Sequence, residues 1–264
     1  AESSPDGRAG TAAFAASRIA LWSPADTARR IDFGRRASSG AVDRADVHAA
    51  AVMRFALLGD LIQSRRWAEL SAERAALAAS PTVRGSRRLR WQLRLWDVVD
   101  AVVAGRWDDG ATGAEALANA ALGEWDDHPH VDAVQAWGNQ LAALRLLQGR
   151  VDEVVEPLAG WAAAHPEVAG FHVVAAWALA TSGDHERARA ALSAALRVDE
   201  PALGLPLDNT FPISILAVAE TAALVPGVLD PAAALRTLEV AAGMSGQLVF
   251  QPGPHLVLGP ADRA

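Results

Sequence analysis

The stretch Leu179-Ala-Thr-Ser-Gly183-Asp184-His-Glu-Arg-Ala188-Arg-Ala-Ala-Leu-Ser-Ala-Ala195-Leu, closed by Pro201, decides the fold. A glycine ends one helix, a polar residue restarts the next, alanines recur seven residues apart and a proline closes the unit. Gly183 permits the left-handed cap that lets the chain reverse, and Pro201 cannot donate to a preceding helical turn. Ala188 and Ala195 let the paired helices approach closely. One unit earlier the same punctuation reads Leu146-Leu-Gln-Gly149-Arg150-Val-Asp-Glu-Val-Val-Glu-Pro-Leu-Ala-Gly-Trp161, closed by His165-Pro166, so that Gly149 and Gly183 stand 34 residues apart.

Working outward, the pattern recurs at Val103-Ala-Gly105-Arg106-Trp107, more loosely at Gln63-Ser-Arg-Arg66-Trp67, and downstream at Val225-Pro-Gly227. The spacing from Arg66 to Arg106 to Arg150 to Asp184 is 40, 44 and 34 residues. Constant punctuation with variable length predicts hairpins of irregular helix length, and strand patterns are absent. The first helices of the hairpins are expected at about 42–62, 87–104, 131–148, 167–182 and 210–224, with partner helices between them. A partial hairpin precedes them, Ser23-Pro24 capping a helix to about Ser38. From Arg87 onward, Trp91, Leu95, Val98 and Val102 form one apolar stripe at helical period, which reads as core. Residues 20–246 thus form one helical repeat domain, and 1–19 an N-terminal extension or the remnant of a preceding repeat. The run Gln247-Leu-Val-Phe-Gln-Pro-Gly-Pro-His-Leu-Val-Leu-Gly-Pro260 is too rich in proline and glycine for a helix, so 247–264 is expected to be an extended connector.

Composition excludes whole classes of chemistry. Half of the 264 residues are apolar, every basic residue is arginine, and there is no lysine, cysteine or tyrosine. A Walker-type phosphate loop, a Schiff-base enzyme and a lysine-dependent kinase each need an ammonium group at a defined place. Thiol nucleophiles, zinc-cysteine clusters and disulfides fall with the missing cysteine. The formal charge is −7 and uneven: residues 1–100 hold 16 Arg against 11 acids, residues 101–264 hold 8 Arg against 20 acids. An acidic majority argues against direct nucleic-acid contact, because phosphate affinity comes from neutralising charge. No apolar run reaches the roughly 20 residues needed to span a bilayer. The start lacks both an initiator methionine and an apolar signal core, which predicts a processed or excised end and a cytoplasmic location.

Each candidate for chemistry has a packing counterpart. Asp126-Asp127-His128-Pro129-His130-Val-Asp132 is the most metal-like cluster, yet His128-Pro129 sits where His165-Pro166 sits in the next unit, and the aspartates suit helix caps. His185-Glu186 begins like the helical zinc-hydrolase signature, but position 189 is arginine where the second histidine belongs. There is no Gly-x-Ser-x-Gly elbow, and Asp108-Asp109 adjoin a helix start, where they complement its dipole. No catalytic residue, no metal ligand and no cofactor are expected. Arg84, Arg87, Arg88, Arg90 and Arg94, interleaved with Trp91 and Trp96, suit phosphate or base stacking, against a reading as a solvated face whose arginine stems cover the core. Of the nine tryptophans, Trp67, Trp107 and Trp161 recur in second helices and read as hairpin packing.

The unit from Gly183 to Pro201 resembles the tetratricopeptide repeat in its glycine, its two alanines and, one residue late, its closing proline. Leu21-Trp22-Ser-Pro24, Leu89-Arg90-Trp91, Val103-Ala-Gly-Arg-Trp107, Leu144-Arg-Leu-Leu-Gln-Gly-Arg150 and Val257-Leu-Gly-Pro-Ala-Asp262, in that order, make residues 20–264 similar to the tetratricopeptide-like regions of large actinobacterial regulators. Those carry a signal-transduction ATPase module before the repeats and a LuxR-type, activator-type or cyclase module elsewhere. The resemblance implies a right-handed solenoid of antiparallel helical hairpins. It also implies a non-catalytic arm that binds an inducer or a protein partner and restrains or releases an adjoining ATPase or DNA-binding module. Neither module is in this sequence. First helices line the concave face of such solenoids. Arg94, Gly138 and His172 are equivalent positions counted from the aligned glycines, and Gln92, Asn139 and Trp177 lie within about a turn of that register. Gln92, Arg94, Asn139, His172 and Trp177 are therefore the expected binding residues. The alternatives are a metal-dependent or carboxylate-based enzyme on a helical scaffold and a nucleic-acid contact through Arg84–Arg94.

Overall fold

The computed structural model describes residues 14, 23–125, 130–253 and 256–261. The expected extension at 1–19 lies outside these residues except for Phe14, as do Leu21, Trp22 and the segment Asp126–Pro129. After a 3-10 turn at Pro24–Asp26, the helices are α1 (Thr27–Asp43), α2 (Val47–Gln63), α3 (Trp67–Ala79), α4 (Pro81–Gly85), α5 (Arg87–Val103), α6 (Ala114–Gly123), α7 (Val131–Leu147), α8 (Val155–Ala164), α9 (Ala169–Thr181), α10 (His185–Ala195), α11 (Phe211–Leu224) and α12 (Pro231–Ala242). Two short strands, β1 (Leu248–Gln251) and β2 (Leu256–Pro260), pair with each other. The fold is all-α apart from that hairpin.

A single device makes five of the helix reversals. At Ala45, Arg65, Gly105, Gly149 and Gly183 the backbone enters the left-handed region, with φ of 58°, 56°, 71°, 70° and 88°. Around Gly105 its N–H donates to the Val102 carbonyl at 3.1 Å and the Arg106 N–H to the Ala101 carbonyl at 2.9 Å. The same pair of bonds recurs around each of the other four residues. This is the Schellman arrangement, which uses carbonyls that a helix end would otherwise leave unpaired. At two of the turns the residue just after the left-handed one also caps the next helix: Asp46 accepts from the Ala49 N–H at 3.0 Å and Asp184 from the Arg187 N–H at 3.1 Å. A turn of three residues therefore both closes one helix and opens its partner.

The helix expected from residue 42 begins instead at Val47, because the chain already reverses at Ala45. Gly227 is left-handed as well, but it lies beyond the C-terminus of α11 in a longer link and makes no such bond pair. After Gly105 a loop through Gly113 delays α6 to Ala114, and the Ala114 N–H donates back to the Arg106 carbonyl at 2.9 Å. Trp107 thus precedes its helix, with its indole N–H on the Val102 carbonyl at 3.4 Å, while Trp67 is 45% exposed at the start of α3. The hairpin-packing reading holds for Trp161, which packs against Phe171, and not for Trp67.

Tertiary contacts divide the chain into two units: Ala1–Gln140 with Pro252–Leu256, and Leu141–Gln251 with Val257–Ala264. In the first, α1 packs on α2, α2 on α3 and α5 on α6. Its core includes Phe14 stacked on Phe33 with Ala41, Ala49 and Met53, and a second cluster of Trp91, Leu95, Ala121, Ala133 and Ala136. It also encloses a charged network. Arg30, 1% exposed, donates from Nε to Asp60 at 2.8 Å, from one terminal nitrogen to the Ser23 carbonyl at 2.9 Å, and from the other to Thr27 at 2.9 Å and Gln63 at 3.0 Å.

In the second unit, α9 packs on α8, α10 and α11, and α11 on α12 and β1. Ala175, Ala176, Ala178 and Ala188, with almost no exposed surface, keep these helices close. The segment after Gly246 is extended, as expected, but it is not a free connector: it folds back on itself, and Val249, Phe250, Val257 and Leu258 are buried.

Candidate functional site

A cleft of about 470 Å³ opens in the first unit between α3, α4 and α5. Its construction follows from local sequence. Ser80 is extended (φ −67°, ψ 126°) and Pro81 takes the first position of α4, where a missing N–H costs nothing. Ser86 then caps α5, its hydroxyl accepting from the Leu89 N–H at 3.4 Å. The single-turn α4 thus links α3 to α5 in a short span. On α5 the buried residues Leu89, Trp91, Leu95, Trp96, Val98 and Val99 claim one side. That leaves Arg90, Leu93, Arg94 and Asp97, at helical spacing, as a stripe on the cleft wall. On α3 the matching stripe is Ser71, Arg74, Ala75 and Ala78, of which the serine and the two alanines are small and leave space open.

Four arginines, Arg74, Arg84, Arg90 and Arg94, are among the residues that line this cleft. Arg74 is held by two carboxylates, Asp97 at 2.9 Å and Asp100. Glu124 serves both Arg94, at 2.5 Å, and Arg90, at 3.9 Å, and Arg90 also donates to the Arg84 carbonyl at 2.7 Å. The Arg84 side chain has no ion-pair partner among the described residues. Burial pushes the Asp97 carboxyl above the usual carboxylate range and the Asp100 charge adds to it, against the opposing pull of Arg74 and Arg94.

A second cleft, of about 420 Å³, lies between α1, α2 and α3. It also holds two arginines, but each is matched: Arg35 with Glu69 and Arg54 with Glu73. Of these two clefts, the first holds an arginine, Arg84, with no ion-pair partner among the described residues.

The five expected binding residues fall in different places. Arg94 lines the arginine cleft. Gln92, on the same helix, is half-buried, and its Oε1 is enclosed without a hydrogen-bond partner among the described residues. Asn139, half-buried on α7, belongs to the same unit. His172 and Trp177 belong to the second unit. His172 is half-buried with Nε2 enclosed and without a hydrogen-bond partner among the described residues, whereas Trp177 is 5% exposed in the core of α9, so its indole offers almost no surface to a ligand. Which face a helix turns inward depends on its neighbours, which a register counted from the glycines does not contain. Arg74, Arg84 and Arg90 complete the cleft and were not among the five. Arg84 and Arg90 were visible as part of the basic run, but nothing in the sequence joins Arg74 to it.

Of the metal-like segment, Asp126, Asp127 and His128 lie outside the described residues. His130 precedes α7, its Nδ1 accepting from the Asp132 N–H at 3.2 Å and its ring resting on Trp125 at 5.2 Å between centroids. This imidazole caps a helix and packs on an indole. No group of three or more His, Asp or Glu placed to hold a metal occurs among the described residues, and no helix among them is long and apolar enough to cross a membrane. Compared with models of protein families, with curated proteins and with solved structures, the chain matches none.

Proposed function

We propose that the chain is a non-catalytic binding scaffold: a cytoplasmic right-handed solenoid of tetratricopeptide-like hairpins that serves as the sensor or interaction arm of a larger transcriptional regulator. The observation that carries this reading is the same Schellman reversal repeated five times along a chain of packed helical hairpins. Such repetition builds surface rather than a convergent constellation of acid, base and nucleophile. The open clefts of the first unit are lined by side chains that hold one another in ion pairs, a form suited to recognition. The order of packing motifs shared with regulator repeat regions supplies the partner class, an adjoining ATPase or DNA-binding module or a small inducer.

The test is a thermal-shift screen of the chain against a metabolite collection, run beside an assay panel for hydrolase and transferase turnover. Saturable shifts without turnover are expected. Turnover that survives repurification and is lost in His130→Ala would overturn the reading in favour of an enzyme.

A further inference from the structure

We infer that the cleft between α3, α4 and α5 binds a small phosphorylated metabolite through Arg84, Arg90 and Arg94, with Arg74 held in place by Asp97 and Asp100. The inference deepens the binding-scaffold reading and rests on it.

Three observations point to this ligand class. First, arginines from three helices line one open cleft, and guanidinium is the side chain whose fork of donors matches phosphate oxygens bidentately. Secondly, donors remain to be used. Arg84 carries no ion pair among the described residues, and Arg94 engages Glu124 through Nε, leaving its terminal nitrogens for a ligand. Arg74 is only 17% exposed, fixed by Asp97 and Asp100, and its Nε is enclosed without a partner among the described residues. It is a fixed part of the cleft wall, its charge already answered by the two carboxylates. Thirdly, beside Ser71 and Asp97 the rest of the wall holds Leu93, Ala75 and Ala78, which offer apolar surface to the uncharged body of a ligand, and a volume of about 470 Å³ lies within the ordinary range for a small-molecule site.

A nucleic-acid backbone fits less well. The acids Asp97, Asp100 and Glu124 pair with the cleft arginines, and a continuous polyanion laid across them meets repulsion that a compact phosphate seated among the guanidiniums avoids.

The experiment is isothermal titration of the full 264-residue chain with inorganic pyrophosphate at low salt, repeated with a 20-base-pair DNA duplex. Wild type should bind pyrophosphate saturably, and more weakly as salt is raised. Arg84→Ala and Arg94→Ala should each weaken binding about tenfold or more, the scale of losing hydrogen bonds to a charged group. Both side chains are at least half exposed or on the surface, so circular dichroism should show both variants folded. Arg187→Ala, whose exposed guanidinium pairs with Glu156 in the second unit, should bind like wild type. Pyrophosphate binding that is absent, or unchanged in Arg84→Ala and Arg94→Ala, overturns the inference. So does duplex binding that these variants abolish while pyrophosphate does not compete. Metabolite-screen shifts confined to uncharged compounds and insensitive to both variants would defeat the phosphate site while leaving the scaffold reading intact.

Discussion

Arg30 and Asp60 show how a charge is kept inside a helical pair. Every donor group of the guanidinium has a partner, and both side chains are almost fully enclosed, at 1% and 2% exposure. Such a pair contributes little over a well-packed apolar pair, but removing one member strands the other in a low-dielectric interior. Arg30→Ala should therefore destabilise the chain by about 3–5 kcal/mol, read from urea unfolding. A loss no greater than that of Arg29→Ala, an exposed neighbour paired with Asp26, would show the network to be loose. The sequence carries a faint signal of this network: Asp60 interrupts the apolar run Phe55-Ala-Leu-Leu-Gly-Asp-Leu-Ile62. Its partner, 30 residues away, is one arginine among 24.

At the scale of the element, the turns carry the argument. Gly105, Gly149 and Gly183 enter the left-handed region without penalty, but Ala45 and Arg65 must carry a Cβ there. Ala45→Gly and Arg65→Gly should each stabilise by about 0.5–1 kcal/mol, strain relief outweighing the added freedom of the unfolded chain. Gly149→Ala should cost about 1 kcal/mol or more, although a Cβ there meets nothing within 4 Å, because the penalty is conformational rather than steric. Thermal unfolding of the three variants checks the signs. A stabilised Gly149→Ala would mean the turn has given up its left-handed residue. The three glycine turns were readable because glycine is the residue such a turn selects. The turns at Ala45 and Arg65 were missed or only loosely seen, since there the surrounding helices impose a conformation that the residue itself disfavours.

Across the whole molecule, acids outnumber arginines, so stability should respond to acid. The Glu153 carboxyl is held below its ordinary range chiefly by a hydrogen bond from Arg150, with Arg145 assisting. Glu156 is lowered by Arg187, and Glu69 by Arg66 with help from Arg35. A carboxylate lowered in the folded state adds stability that is fully present above its unfolded pKa and is lost as pH falls through the folded value. Asp97, raised by burial, acts in the opposite sense: its contribution is present in acid and is lost as pH rises through its folded value. With three lowered groups against one raised, the midpoint of thermal unfolding should fall from about pH 5 to pH 3. Glu153→Gln should fall less steeply than wild type over that window. An equal slope would assign the acid response to other carboxylates.

The linear sequence determined the helical hairpins, their spacing, the glycine reversals and the exclusion of lysine and cysteine chemistry. These depend on backbone conformation and on residue types being present or absent, and both act locally. Tertiary structure alone decided which side of each helix is open. It buried Trp177, set Arg74 beside the basic run of α5, enclosed Arg30 with Asp60 and paired the extended C-terminal segment with itself. Helical period places residues on a common stripe, but the direction that stripe faces is settled by the helices packed against it, and those contacts join residues tens of positions apart.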